Sequence, residues 1–229
     1  MTNDSPTSRR GRPTGSAGLG LVAAMLALCV FAGGAPGQEV GSGGDTPAEW
    51  VEGIRPGLPN YVRGEHPDRP RIMYRDSLVS LNDYCPVRKA RLDPDRKPVY
   101  VNGTPIGFCC SPCPVTFSAD PEKYLRDLHA SFPCPVHPRR RAIFDSSLRA
   151  RVNQDIFFFS SVQAKSRFLK DPLRYTKTLT DPVSFQRFHP KKASPHVVFR
   201  GRDYYFAADS TLARFQAEPE KWFERKTSH

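Results

Sequence analysis

Hydrophobic positions change character three times along the chain. Leu19 to Ala32 is an unbroken run of 14 apolar or small residues. Between residues 38 and about 75, apolar residues are scattered among Gly, Pro and charge without a sustained period, which predicts a flexible linker with at most one helical turn around Trp50 and Val51. Beyond residue 75 the apolar residues gather in short clusters separated by turn residues. Val99-Tyr100-Val101 and Ile106-Gly107-Phe108 flank Asn102-Gly103, the pattern of a tight β-hairpin. Val197-Val198-Phe199 and Tyr204-Tyr205-Phe206 flank Gly201 in the same manner.

These clusters belong to a unit written three times. Phe117, Phe168 and Phe215 each stand three residues before an acid-Pro pair, namely Asp120-Pro121, Asp171-Pro172 and Glu218-Pro219. An aromatic follows each pair at a fixed distance: Tyr124, Tyr175 and Trp222. The beginnings agree too, with Cys85-Pro86-Val87, Cys134-Pro135-Val136 and Asp181-Pro182-Val183 at spacings of 49 and 47 residues. Each unit reads as a hairpin, a short helix and a second helix restarted by the acid-Pro pair. Ser111-Pro112 is the expected start of the first helix. A unit under about fifty residues buries too little surface to stand alone, so neighbours or a metal must support it.

Cysteines change the picture because they concentrate in the first unit, at Cys85, Cys109, Cys110 and Cys113. The second unit has Cys134, Ser160 and Ala164 at the positions of Cys85, Cys109 and Cys113, and the third has Asp181, Ala207 and Thr211. One thiolate before a hairpin and two after it converge in the manner of a zinc knuckle or treble clef. A helix N-terminus beside Cys113 is expected to favour the thiolate form. Zn²⁺ wants four ligands and would recruit Cys110, His129 or a water, whereas Cu(I) is satisfied by three sulfurs.

The ends and the charge set the context. Arg9, Arg10 and Arg12 precede the apolar run, and Gly33-Gly34-Ala35-Pro36-Gly37 follows it, the layout of a secretory signal peptide cleaved before Gln38. At 14 residues the run is shorter than the roughly 18 of a spanning helix, so a secreted or periplasmic protein is expected, with a membrane anchor as the alternative. Lys and Arg number 34 against 23 acids, a formal charge of +11 that favours anionic partners such as polyphosphate, nucleic acid or an anionic lipid surface. In an exported protein the expected partners are an anionic surface or other envelope proteins. Export argues against nucleic acid. The sequence contains no nucleophile–base pair, phosphate-binding loop or carboxylate motif, so no enzyme activity is expected. With 23 Pro among 229 residues, long helices are excluded.

Residues 77–130 resemble the YHS and TRASH group of small metal-binding domains. The resemblance rests on Cys85, 23 intervening residues, Cys109-x3-Cys113, the hairpin over 100–108, Phe117 and Asp120-Pro121-Glu122-Lys123-Tyr124. It extends in degenerate form over 77–223 and implies heavy-metal binding, trafficking, resistance or sensing. Relatives with a complete zinc knuckle carry a further Cys where this chain has Asn82.

The sequence therefore predicts an α+β protein of tandem treble-clef-like units: a signal peptide over 1–37, a linker over 38–75, a metal-binding unit over 76–130 and degenerate repeats over 131–178 and 179–229. One zinc or copper ion is expected on Cys85, Cys109 and Cys113, with Cys110 as a candidate fourth ligand. Two other readings stand beside it: a thiol–disulfide protein using Cys110 and Cys113, whose C-x-x-C spacing opens a helix, and a structural or interaction protein without metal.

Overall fold

The computed structural model describes residues 58–66 and 68–224; the expected signal peptide over 1–37 and residues 38–57 of the expected linker lie outside them. The rest of the expected linker is not a linker. Strands β1 (Asn60–Val62) and β2 (Arg71–Met73) pair antiparallel with Tyr61 opposite Ile72. Ile72 and Tyr74 are buried in the core of the first unit. What orders this segment is distant in sequence. Ser80 bonds Ile72 through both its backbone N–H (2.7 Å) and its hydroxyl (3.0 Å), and the Tyr61 hydroxyl donates to the Leu92 carbonyl at 2.9 Å.

From there the same order of elements occurs three times. The first unit has β3 (Val99–Val101), β4 (Thr104–Ile106), α1 (Cys113–Ala119) and α2 (Pro121–Asp127). The second has β5 (Arg149–Val152), β6 (Asp155–Phe158), α3 (Val162–Lys170) and α4 (Pro172–Tyr175). A short pair, β7 (Leu179–Thr180) and β8 (Arg187–Phe188), leads into the third, which has β9 (His196–Phe199), β10 (Arg202–Tyr205), α5 (Asp209–Ala217) and α6 (Pro219–Glu224). The α+β architecture of small hairpin–helix units stands as the sequence predicts.

Turn chemistry explains the hairpins. Asn102 and Gly103 both have positive φ, 47° and 83°, and Arg200 and Gly201 repeat this at 51° and 71°. Such turns match the twist of the flanking strands. The middle hairpin turns at Asn153, φ 52°, without a glycine; asparagine tolerates the left-handed region better than most residues. The acid-Pro restarts are capped as expected, with Asp120 accepting from the Lys123 N–H and Asp171 from the Arg174 N–H, both at 3.3 Å.

The start of α1 differs from expectation. The helix begins at Cys113 with Pro112 as its cap, and the Ser111 hydroxyl accepts from Arg96 Nη1 at 2.9 Å instead of capping. Pro112 and Pro114 have no N–H groups, so a capping hydroxyl has little to bond there.

Each unit closes its core by laying the helix phenylalanine on the aromatic at the hairpin exit. Centroids lie 5.4 Å apart for Phe108–Phe117, 4.9 Å for Phe159–Phe168 and 5.2 Å for Phe206–Phe215. All six rings are buried, each contributing about 1.5–3 kcal/mol. Tyr124 and Tyr175 stack on Phe117 and Phe168 at 5.9 and 6.3 Å, and Trp222 is buried in the third core.

Successive units are tied in one repeated way. The Asn102 side chain donates to the Phe158 carbonyl (3.1 Å) and to the Pro133 carbonyl (3.0 Å), and accepts from the Phe158 N–H (2.8 Å). Asn153 does the same one unit later, to the carbonyls of Tyr205 and Thr180 and from the Tyr205 N–H. Asn82 makes this set of bonds at the entrance to the first unit, to Gly107 and Tyr84. Between the first two units β3 also runs parallel to β6, giving a four-stranded sheet in the order β4-β3-β6-β5.

Candidate metal centre

Cys85 opens a tight turn. Its N–H donates to the Ala90 carbonyl and its carbonyl accepts from the Lys89 N–H, both at 2.8 Å. Lys89 turns the chain with a φ of 56°. This geometry aims the backbone N–H groups of Val87 and Arg88 at the Cys85 sulfur, and the Cys109 N–H joins them from the hairpin exit. Burial opposes ionisation of Cys85, but these donors outweigh it and the thiol pKa is lowered.

Cys109 follows the last hairpin strand, and Cys113 is the first residue of α1. The two are therefore brought together by the bend between hairpin and helix, not by sharing a helical face. Their sulfurs lie 3.8 Å apart, and those of Cys85, Cys109 and Cys113 all lie within 4.8 Å of one another. Cys85 and Cys113 are buried and Cys109 is partly exposed, so the cluster sits just beneath the surface. This group can hold a metal ion.

The protons are unevenly shared. Burial, reinforced by bonds to Cys85 and Cys110, pushes Cys109 up to about 11. Burial raises Cys113 further, with Cys110 and Cys85 adding to the effect. The helix N-terminus does not make Cys113 the favoured thiolate, because desolvation and crowding by neighbouring sulfurs prevail over a partial charge at the end of a seven-residue helix. The cluster thus combines one favoured thiolate with two thiols that a cation would have to deprotonate.

Cys110 stands apart from this set. Its sulfur lies 2.9 Å from that of Cys113 and remains partly exposed. Asn82, at the position of the further cysteine expected of a complete zinc knuckle, spends its side-chain amide on Gly107 and Tyr84. His129 is exposed just beyond the end of α2, and among the described residues the only group gathered for a metal is the three cysteines.

The other two units show what this turn is built to do. In the second, Cys134 opens it, with its N–H on the Arg140 carbonyl at 2.8 Å. Val136, His137 and Ser160 supply the backbone donors, and although burial opposes ionisation these contacts, led by Ser160, lower the Cys134 thiol pKa. In the third, Asp181 receives the N–H groups of Val183 (2.8 Å), Ser184 (2.9 Å) and Ala207 (2.8 Å), together with the Thr211 hydroxyl (2.7 Å). Three equivalent backbone donors thus face an anion-forming side chain in every unit. Sequence reasoning missed this cage because backbone N–H groups carry no residue signature. The shared Cys/Cys/Asp position was its only trace.

No protein-family model, curated protein or solved structure matches the chain.

Proposed function

We propose that this chain is an exported metal-binding protein of the YHS and TRASH type, holding one zinc or copper(I) ion at Cys85, Cys109 and Cys113 for sequestration, trafficking or sensing. The observation that carries the reading is the convergence of three sulfurs within 4.8 Å. A metal–sulfur bond of about 2.3 Å in a tetrahedral site sets two sulfurs about 3.8 Å apart. Cys109 and Cys113 already stand at that separation. All-sulfur donors favour soft or borderline metals over magnesium or calcium. Copper(I) is complete with these three; zinc takes a water as the fourth ligand.

Metal analysis of the full chain, purified under reducing conditions, tests the reading. One ion per chain is expected, falling to near zero in Cys85→Ser, Cys109→Ser and Cys113→Ser and unchanged in Cys134→Ser, whose unit offers Ser160 and Ala164 where thiols are needed. Metal content indifferent to Cys109→Ser would sink it. A second reading, a disulfide exchanger acting on other proteins, draws on the Cys110–Cys113 contact. It predicts insulin reduction that Cys113→Ser abolishes, and we expect no such turnover because Cys113 is buried, with 1% of its surface exposed.

A further inference from the structure

Cys113 faces two ways. One side of its sulfur meets Cys109 and the Cys85 cluster; on the other, Cys110 Sγ lies 2.9 Å away. That is closer than two sulfurs sharing a metal ion, which stand about 3.8 Å apart, and closer than van der Waals contact. The Cys110 sulfur lies outside the set that can converge on one ion. All four cysteines of the unit are free thiols. The connecting residues are Ser111 and Pro112, with the Cys113 N–H bonded to the Cys110 carbonyl at 3.3 Å, so the backbone holds the two side chains on one turn. Burial divides them: Cys113 is closed off, whereas Cys110 is open to a small oxidant.

We propose that Cys110 is a redox trigger for metal release, a reading that rests on the metal site proposed above. In the presence of a hydroperoxide, the Cys110 sulfur attacks the outer oxygen, the O–O bond breaks and water (or an alcohol) leaves, giving a sulfenic acid on Cys110. The Cys113 sulfur then attacks the Cys110 sulfur. Its bond to the metal breaks, the S–OH bond breaks, a solvent proton joins the departing hydroxide as water, and the Cys110–Cys113 disulfide forms. Two thiol sulfurs are oxidised by two electrons in total and one peroxide is reduced. The metal is left with Cys85 and Cys109 alone, and its affinity collapses. A dithiol reductant restores the site. The equivalent positions in the other units, Ser161–Ala164 and Ala208–Thr211, carry neither partner, so the trigger is confined to the unit that holds the thiol cluster.

The test uses the full chain loaded with zinc under reducing conditions, then exposed to hydrogen peroxide with a chromogenic chelator present. Wild type should release its ion with a new disulfide mapped by mass spectrometry to Cys110–Cys113, and dithiothreitol should restore binding. Cys110→Ser should load one ion as wild type does but release it at least tenfold more slowly. Release at the wild-type rate from Cys110→Ser, or a disulfide mapped elsewhere, overturns the proposal. So does failure of Cys110→Ser to load, because Cys110 is then a ligand. A reduced wild-type chain that binds no metal overturns the metal reading itself and the trigger with it, an outcome visible before any peroxide is added.

Discussion

Thr211 Oγ1 donates to Asp181 Oδ2 at 2.7 Å in the third unit, at the two positions where Cys113 and Cys85 bring their sulfurs together in the first. A carboxylate fills the same backbone cage that faces a thiolate elsewhere, and a hydroxyl takes the place of the helix thiol. The third site is therefore satisfied internally: four hydrogen bonds meet Asp181, which has no exposed surface. An anion held by several donors needs no cation to neutralise it.

That equivalence predicts a gain of function. Asp181→Cys, Ala207→Cys and Thr211→Cys together should create a second thiolate cluster, raising the metal content of the reduced chain from one ion to two. Adding Cys109→Ser should bring it back to one. A triple variant that folds, by circular dichroism, yet binds a single ion would show that the backbone cage does not define the site.

How much of this was legible in the sequence depends on whether the cause is local. Asn102-Gly103 announces its hairpin because turn geometry is decided by two residues, while Asn153-Gln154 gives no such signal and only the repeat locates the middle hairpin. The cysteine spacing exposes the cluster, since a turn, a hairpin and a bend of fixed lengths leave little freedom in where the sulfurs fall. The strands at 60–62 and 71–73 were hidden among Gly and Pro because Tyr61 and Ile72 are fixed by Leu92 and Ser80, partners no periodicity reveals. The protonation of Cys113 was misjudged for a related reason: burial, unlike helix position, is set by the whole unit.

Proton release should accompany metal binding. Cys109 and Cys113 both hold their protons at neutral pH, and a metal must displace both to gain two thiolates. The apparent affinity should therefore rise with pH across pH 6–8, by at least about a hundredfold per unit, or tenfold per proton displaced. Titration calorimetry in buffers of different ionisation enthalpy counts these protons directly. Fewer than two released per ion would mean that one of the raised thiols is not a ligand.

Arg187 ties the three units at a single buried point. Its guanidinium pairs with fully buried Asp155, bonds the Thr180 hydroxyl at 3.0 Å, lies 3.7 Å from Asp76 and stacks 3.7 Å over the Tyr100 ring. Burial raises the Asp155 pKa even with Arg187 and Thr180 opposing it, so removing the cation leaves a carboxylate with little compensation. Arg187→Met should cost about 3–5 kcal/mol in urea unfolding at neutral pH. Asp155→Asn in the same chain should recover part of that loss. A cost under about 1 kcal/mol for Arg187→Met would place the pair in effective contact with water.

Asn153 tests whether the units stand by stacking or by their own cores. Its side chain makes three bonds to the next unit, at 2.8 Å to Thr180, 2.8 Å to the Tyr205 carbonyl and 3.0 Å from the Tyr205 N–H. It also occupies a left-handed backbone position that alanine tolerates poorly. Asn153→Ala removes the bonds, strands three backbone groups and adds strain, so a loss of about 2–4 kcal/mol is expected. Hydrogen exchange should localise the damage. If stacking supports the third unit, protection should fall across β9, β10 and α5 while the cores around Phe117 and Phe168 hold, and metal content should stay at one ion per chain. Among the described residues the third core is the smallest of the three, with five buried apolar residues against thirteen in the first, and has least to fall back on. Unchanged protection over 196–217 would assign its stability to the Phe206–Phe215 packing alone, and the asparagine bonds would then fix register without supplying stability.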